Sequence, residues 1–297
     1  MKVLLTGASG LLGRAIKTVL DDVVGWSVLG LGFNRLDGGL RKVNLQSTNE
    51  IISIIDEYRP DIVIHSAAER RPDFVANHEN ETMLLNVRAS ETLAKEVNKY
   101  GGFLLYISTE YVFDGTSAPY LTSAKPNPVN KYGLSKLQGE QVVMQNCQRY
   151  GILRVPILYG NVQYLKESAV TCLFEVLLDS SKPGVVSNYE PRYPISTHDI
   201  AIVCKQIIEQ INKDKSFHGI WHWSGNERLT KYGMVEIMAK IFNLPMSHIT
   251  ASNEPPPSNV IRPYDTKLDC SELEQIGITQ RTPFEEGIKD CLMPFLK

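Results

Sequence analysis

The sequence predicts an α/β fold, a doubly wound parallel sheet with a smaller, interleaved C-terminal lobe. Three observations carry this. Short β-branched runs alternate with longer amphipathic stretches through the first half of the chain, as when helices cover both faces of a sheet. Val3-Leu4-Leu5, Ile62-Val63-Ile64 and Phe103-Leu104-Leu105-Tyr106-Ile107 are apolar at successive positions, not alternate ones, which suits strands buried on both sides. The rhythm loosens after Tyr159, so residues 1–160 read as the sheet domain and 161–297 as a smaller lobe partly interleaved with it.

In chain order, Lys2–Thr6 is a strand, Leu11–Leu20 a helix, Ser27–Phe33 a strand, Ser47–Tyr58 a helix and Asp61–Ser66 a strand. A long helix around Asn80–Lys99 leads to a strand at Phe103–Ser108, a helix from Lys131 to about Gln148 and a strand at Gly151–Tyr159. Beyond it, Ser168–Leu178 and Asp199–Ile211 read as helices, Gly219–Ser224 as a strand and Lys231–Asn243 as a helix. Pro255-Pro256-Pro257 marks a rigid loop, and Pro283 starts a last helix reaching about Leu292. There is no internal repeat.

Composition narrows the function. The chain has 297 residues, 43% hydrophobic and 22% charged, and 31 Lys and Arg against 33 Asp and Glu leave a net charge of −2. That balance argues against nucleic acid or an anionic membrane as the main partner of the whole surface. No apolar run approaches the roughly 18 residues of a membrane span. Met1-Lys2-Val3-Leu4-Leu5 begins like a secretion signal, but Gly7, Gly10 and Gly13 break the apolar stretch and no cleavage site follows. Five scattered cysteines without a Cys-x-x-Cys pair read as reduced thiols of a cytoplasmic protein, with no metal site. On the same grounds Asn80-Glu81-Thr82 is a chance match to the glycosylation pattern.

The glycine-rich turn Gly7-Ala8-Ser9-Gly10-Leu11-Leu12-Gly13 follows the first strand and opens the first helix. One glycine permits the tight turn, one lets backbone approach a pyrophosphate, and one lets helix pack on strand. The helix N-terminus then offers unpaired N–H groups to phosphate. This is the dinucleotide-binding arrangement of a Rossmann fold. An NAD-preferring site usually carries Asp or Glu at the end of the second strand, whereas here Phe33-Asn34-Arg35 stands there, with no carboxylate until Asp37. Arg35 suits a 2′-phosphate, so NADP is favoured; the other reading of Arg35 is a solvated loop charge. Ligands of such sheets lie at the carboxyl ends of the strands. That adds Asn44 and Leu45 beside the adenine, Ala67, Ala68 and Glu69 with Arg71 beyond, and Pro156-Ile157-Leu158 beside the nicotinamide. His65, inside its strand, reads as a satisfied core histidine.

Of 13 tyrosines only Tyr132 has a lysine four residues on, Lys136, one helical turn away on the same face. A nearby ammonium, together with the nicotinamide cation of an oxidised complex, lowers a phenol's pKa toward useful acid–base range, and Lys136 suits the nicotinamide ribose. Thr109, in Tyr106-Ile107-Ser108-Thr109-Glu110-Tyr111-Val112-Phe113-Asp114-Gly115, ends the preceding strand and can donate to a carbonyl oxygen as charge develops on it. Thr109, Tyr132 and Lys136 are therefore the expected catalytic set. Arg192 and Arg262 suit a substrate diphosphate or, equally, structural salt bridges.

These motifs resemble the extended short-chain dehydrogenase/reductase superfamily across essentially the whole chain. Ser108–Gly115 and Tyr132-Gly133-x-x-Lys136 look like the dTDP-4-dehydrorhamnose reductases. A closer likeness is to the regulatory β-subunit family of methionine adenosyltransferase II. It lies in Ala67–Asp73, Arg154–Gly160, Glu167–Thr171, His222–Glu227 and Gln280–Phe284. That likeness implies a non-catalytic, NADP-binding subunit that associates with the catalytic subunit making S-adenosylmethionine, stabilising it or tuning its kinetics. By matching positions it implies NADP contacts at Ser9, Gly10, Leu11 and Leu12, at Phe33, Asn34 and Arg35, and at Asn44 and Leu45. Further contacts fall at Ala67, Ala68, Glu69, Arg71, Tyr132 and Leu158. Members of that family can carry a longer C-terminal tail that inserts into the partner. Here the sequence ends Pro294-Phe295-Leu296-Lys297, so docking through such a tail is not expected, and the contact surface stays open.

Two readings follow. In one the chain is a regulatory binding module; in the other it is a reductase using NADPH on a nucleotide-linked 4-keto-6-deoxyhexose. The regulatory reading is favoured on the matching stretches above; the intact Tyr132 and Lys136 do not decide between the two, because cofactor binding uses them as well as catalysis, and one chain could do both.

Overall fold

The computed structural model describes residues 1–257 and 259–296; Lys297, the last residue of the chain end noted above, lies outside the described residues. The first half runs β1 (Lys2–Thr6), α1 (Leu11–Asp21), β2 (Ser27–Gly32), β3 (Arg41–Lys42), α2 (Thr48–Tyr58), β4 (Ile62–His65), α3 (Pro72–Asn77), α4 (Glu79–Met83), α5 (Ala89–Lys99), β5 (Phe103–Thr109), α6 (Lys131–Asn146) and β6 (Tyr150–Val155). The second runs β7 (Leu158–Tyr159), α7 (Phe174–Leu178), β8 (Gly184–Ser187), β9 (Ile195–Ser196), α8 (Thr197–Lys213), β10 (Gly219–His222), α9 (Lys231–Phe242), β11 (Ile249–Ser252), α10 (Ser271–Gln275) and α11 (Phe284–Leu292).

Seven strands form one parallel sheet in the order β3-β2-β1-β4-β5-β6-β10. The chain reverses its direction of travel between β1 and β4, where a doubly wound sheet opens a crevice at its carboxyl edge. Register sets Leu4 beside Val63 and Leu29, and Val63 beside Leu104. Every residue of β4 and β5 is buried, as the unbroken apolar runs require. On one face Val3, Leu5, Ile64 and Leu105 pack against Ile16 and Leu20 of α1 and Val203, Cys204 and Ile207 of α8. On the other, Leu4, Val63, Leu104 and Tyr106 meet Ile51 and Ile55 of α2, Leu93 and Val97 of α5 and Val143 of α6. A third core, with Tyr159, Phe174, Met234, Met238, Phe284 and Ile288, fills the C-terminal lobe.

Elements of the second half of the chain return to the first. β10 hydrogen-bonds to β6 at the edge of the large sheet, and α8 lies along α1. The expected strand Gly151–Tyr159 is in fact two: Pro156, which has no N–H to give a ladder, ends β6, and β7 leaves to pair with β9 in a two-stranded sheet. The expected helix Ser168–Leu178 is a 3-10 turn, Thr171–Leu173, followed by the short α7. In the long helix around Asn80–Lys99, a π-helical turn at Leu84–Arg88 joins α4 to α5 and carries the buried Asn86. Among the described residues, no helix is long and apolar enough to cross a membrane.

Candidate functional site

One cleft of about 810 Å³ follows the carboxyl edge of the sheet. Every residue expected at the cofactor or in catalysis lines it: Gly7, Ser9, Gly10, Leu11, Leu12 and Gly13; Phe33, Asn34 and Arg35; Asn44 and Leu45; Ala67, Ala68, Glu69 and Arg71; and Thr109, Tyr132, Lys136 and Leu158. Strand ends far apart in sequence meet here because parallel strands deliver all their C-termini to the same edge.

The glycine turn is shaped by what it leaves out. Gly7 has φ +68°, a conformation that favours glycine, and a Cβ on it would stand 2.7 Å from the Ala67 nitrogen. A Cβ on Gly13 would lie 2.1 Å from the Gly7 carbonyl oxygen, so α1 touches the turn at a distance open only to glycine. Gly10 caps α1 with no side chain on its N–H groups. The bare helix end and flat backbone fit a diphosphate.

Around this cradle the charges are organised. Arg35, on the loop after β2, is partly exposed but paired: its Nη1 donates to Gln163 Oε1 at 2.7 Å and Glu167 Oε1 at 3.0 Å. Arg14 forks onto the same carboxylate at 2.8 and 2.7 Å. Burial alone would raise the Glu167 pKa, but the bonds from Arg14, the Gln163 N–H and Arg35 hold it down to about 2. Arg71 is committed to Glu69 through two bonds of 2.9 and 2.7 Å and stacks on Phe74, which leaves it on the rim. Asn44 turns back on itself, its Oδ1 accepting from the Gln46 N–H at 3.0 Å.

Asn86, brought inward by the π turn, accepts from the Glu69 N–H at 2.9 Å and donates to Glu69 O and Ser135 Oγ at 3.0 Å each. Ser135 Oγ in turn donates to Tyr132 O at 2.8 Å. One amide thus ties the loop after β4 to the first turn of α6. Local insertions such as this π turn often mark functional positions.

At the far end, Lys136 is buried and its Nζ donates to Ile107 O at 2.7 Å. Burial pushes its pKa down to about 7, with Glu140 opposing. Burial also pushes the Tyr132 phenol up to about 12, against smaller lowering by the Thr109 hydroxyl and the Arg70 charge. Desolvation is the largest cause, and Lys136 donates to the strand backbone; the lowering expected of the phenol is that of the complex with an oxidised nicotinamide cation. Thr109 Oγ1 accepts from the Tyr111 N–H at 3.2 Å. Behind them Glu140, Arg154 and Ser108 form a buried cluster, with Arg154 forked onto Glu140 at 2.9 and 2.7 Å and Ser108 Oγ donating at 2.5 Å. His65 is held inside the sheet by Thr6 at 2.7 Å and Ser90 at 3.0 Å.

Arg192 and Arg262 also reach this cleft, joined by Lys231. Arg192 is buried and donates to Pro191 O and Tyr264 O at 2.7 and 2.9 Å; Arg262 pairs with Asp73 at 2.8 Å. Sequence reasoning missed Arg14, Asn86, Glu140, Arg154 and Glu167, which stand behind the residues that line the cleft. Their partners lie up to 153 residues away, so no local spacing marks them.

The family described as RmlD substrate binding domain matches residues 1–296. Methionine adenosyltransferase 2 subunit beta of Xenopus tropicalis is 47% identical over 295 residues, 99% of this chain and 88% of that protein. A dTDP-4-dehydrorhamnose reductase of Aggregatibacter actinomycetemcomitans is 28% identical, over 97% of each chain. Among solved structures, a dTDP-4-dehydrorhamnose reductase of Bacillus anthracis str. Ames, in complex with NADP, superposes with a TM-score of 0.85 at 22% identity, covering 99% of both chains. The UDP-glucose 4-epimerase of Thermus thermophilus, in complex with NAD, superposes with a TM-score of 0.81 at 19% identity over the full length of both.

Proposed function

This chain belongs to the RmlD substrate binding domain family and, within it, to the methionine adenosyltransferase 2 subunit beta family, and from that membership we propose that it is a cytoplasmic, NADP-binding regulatory subunit of a methionine adenosyltransferase. It would associate with the catalytic subunit and modulate S-adenosylmethionine synthesis. The observation that carries this is the likeness to named beta subunits over nearly the whole chain, including stretches such as Gln280–Phe284 that do not line the cleft.

In this reading residues 1–160 provide the dinucleotide-binding domain and 161–297 the substrate- or partner-side lobe. The N–H groups of the Gly7–Gly13 turn hold the diphosphate, and Arg35 holds the 2′-phosphate through charge-assisted hydrogen bonds. Phe33, Asn34, Asn44 and Leu45 flank the adenine side, while Ala67, Ala68, Glu69 and Arg71 wall the middle. Tyr132, Lys136 and Leu158 border the nicotinamide ribose. A bound nicotinamide nucleotide supplies hydride chemistry; this chain's own residues bind and orient it and exclude water. The test is a sizing-column and calorimetric titration against the catalytic adenosyltransferase subunit, with and without NADP. Co-elution and heat are expected; separate elution with NADP present rejects the reading.

A second reading, an NADPH-dependent 4-keto-6-deoxyhexose reductase, is favoured by one observation: Thr109, Tyr132 and Lys136 all line the same cleft. It ranks second because Tyr132 and Lys136 serve cofactor binding as well as catalysis, and a reductase must additionally bind the transition state of a particular sugar. Substrate-dependent loss of NADPH absorbance, abolished by Tyr132→Phe, would support it. A flat trace with the authentic nucleotide-sugar would reject it.

A further inference from the structure

The loop between β7 and α7 carries Glu167 across the outer side of the cradle, and no part of the proposed function uses it. Its side chain is only 4% exposed, yet it lies among three cations from three separate segments. Arg14 comes from α1, Arg35 from the loop after β2, and Arg70, which donates to the Glu167 main-chain carbonyl, from the loop after β4. Each carboxylate oxygen is doubly satisfied: Oε1 by Arg14 and Arg35, Oε2 by Arg14 and the Gln163 N–H at 2.9 Å. A carboxylate so saturated is a fixed point, with no capacity left to turn toward another ligand.

The consequence falls on Arg35. A guanidinium has five N–H donors in a rigid plane. Glu167 and Gln163 take hydrogens of Nη1 only, and among the described residues Nε and Nη2 of Arg35 donate to nothing. The side chain is 39% exposed and lines the cleft. Anchoring one corner of the plane fixes the orientation of the rest and leaves donors to spare, the geometry needed for bidentate recognition of a phosphate. We infer that Glu167 is a positioning residue for dinucleotide selectivity, clamping one nitrogen of Arg35 so that its remaining donors meet the 2′-phosphate that distinguishes NADP from NAD. The inference rests on the NADP reading above and adds to it the residue that makes Arg35 selective.

NADPH and NADH are titrated into the full-length protein by nucleotide fluorescence, for the wild type, Arg35→Ala, Glu167→Gln and Glu167→Asp. Wild type is expected to prefer NADPH, and Arg35→Ala to lose that preference with NADH affinity unchanged. Glu167→Gln is expected to lose about tenfold in NADPH affinity while NADH affinity stays put, a split that general loosening of the fold would not produce. An unchanged ratio in Glu167→Gln overturns the inference, as does equal weakening of both nucleotides. So does a gain in NADPH affinity, which would mean the carboxylate repels the phosphate. If Glu167→Gln does not fold, Glu167→Asp decides: it keeps the charge but is one methylene too short to hold Arg35 Nη1, so loss of NADPH preference supports the inference and wild-type selectivity overturns it. An Arg35→Ala protein that still prefers NADPH sinks the Arg35 reading itself, which separates the two failures.

Discussion

Gly13 shows how little room the cradle allows. A methyl group there would sit 2.1 Å from the Gly7 oxygen and 2.8 Å from the Ala8 Cα, and both contacts are backbone, which cannot swing aside. Gly13→Ala is expected to cost about 1–3 kcal/mol by overpacking and to weaken dinucleotide binding as the turn is displaced; chemical denaturation and nucleotide titration check the two effects. Glu110 offers a pH test. It is fully buried, its Oε2 has no hydrogen-bond partner among the described residues, and burial raises its pKa from 4.5 to about 7 despite the neighbouring Arg192 charge. The folded state therefore holds its proton where the unfolded chain has released it. This group's contribution to stability is complete below pH 4.5, falls as pH rises toward 7, and is flat above. Glu110→Gln, which resembles the protonated acid, should raise Tm at about pH 8 and give no comparable gain at about pH 4. A Tm difference independent of pH would refute this.

Between elements, the buried Arg154–Glu140 pair clamps strand β6 to helix α6. Removing one partner strands the other charge, so Arg154→Met is expected to cost about 3–5 kcal/mol, while the double change Arg154→Met, Glu140→Leu recovers much of it. A double-mutant cycle by urea denaturation measures the coupling. At this level the sequence was readable wherever one segment's own pattern decided the outcome. Strands β1, β4 and β5 announced themselves as unbroken apolar runs, whereas β3, the exposed pair Arg41–Lys42, did not. The cradle residues followed because a glycine turn after β1 and the ends of parallel strands have fixed places in the topology. What escaped was decided elsewhere in the chain. Helix α3, six residues with one of them buried, has too little periodicity to show. The two-residue β7 exists because β9 is there to pair with it. The Glu167 clasp depends on side chains 132 and 153 residues away. Spacing shows a lysine near the phenol, but not how deeply either side chain is buried, and burial is the largest cause acting on the phenol's pKa.

At the scale of the molecule, the return of α8 and β10 to the first half decides what can fold alone. Val203, Cys204, Ile207 and Ile208 of α8 are fully buried in the core shared with α1. A fragment of residues 1–160 would expose Ile16 and Leu20 and leave β6 unpaired on one side. Such a fragment is expected to lack cooperative unfolding and bind apolar dye, whereas the full chain melts cooperatively; calorimetry and dye fluorescence distinguish these outcomes. The same arrangement bears on synthesis. The sheet's last strand begins at Gly219, so while the ribosome makes the intervening residues the nascent chain carries an open strand edge. Chaperones that shield such edges would be needed during that interval, and the period of greatest aggregation risk ends when β10 emerges and docks.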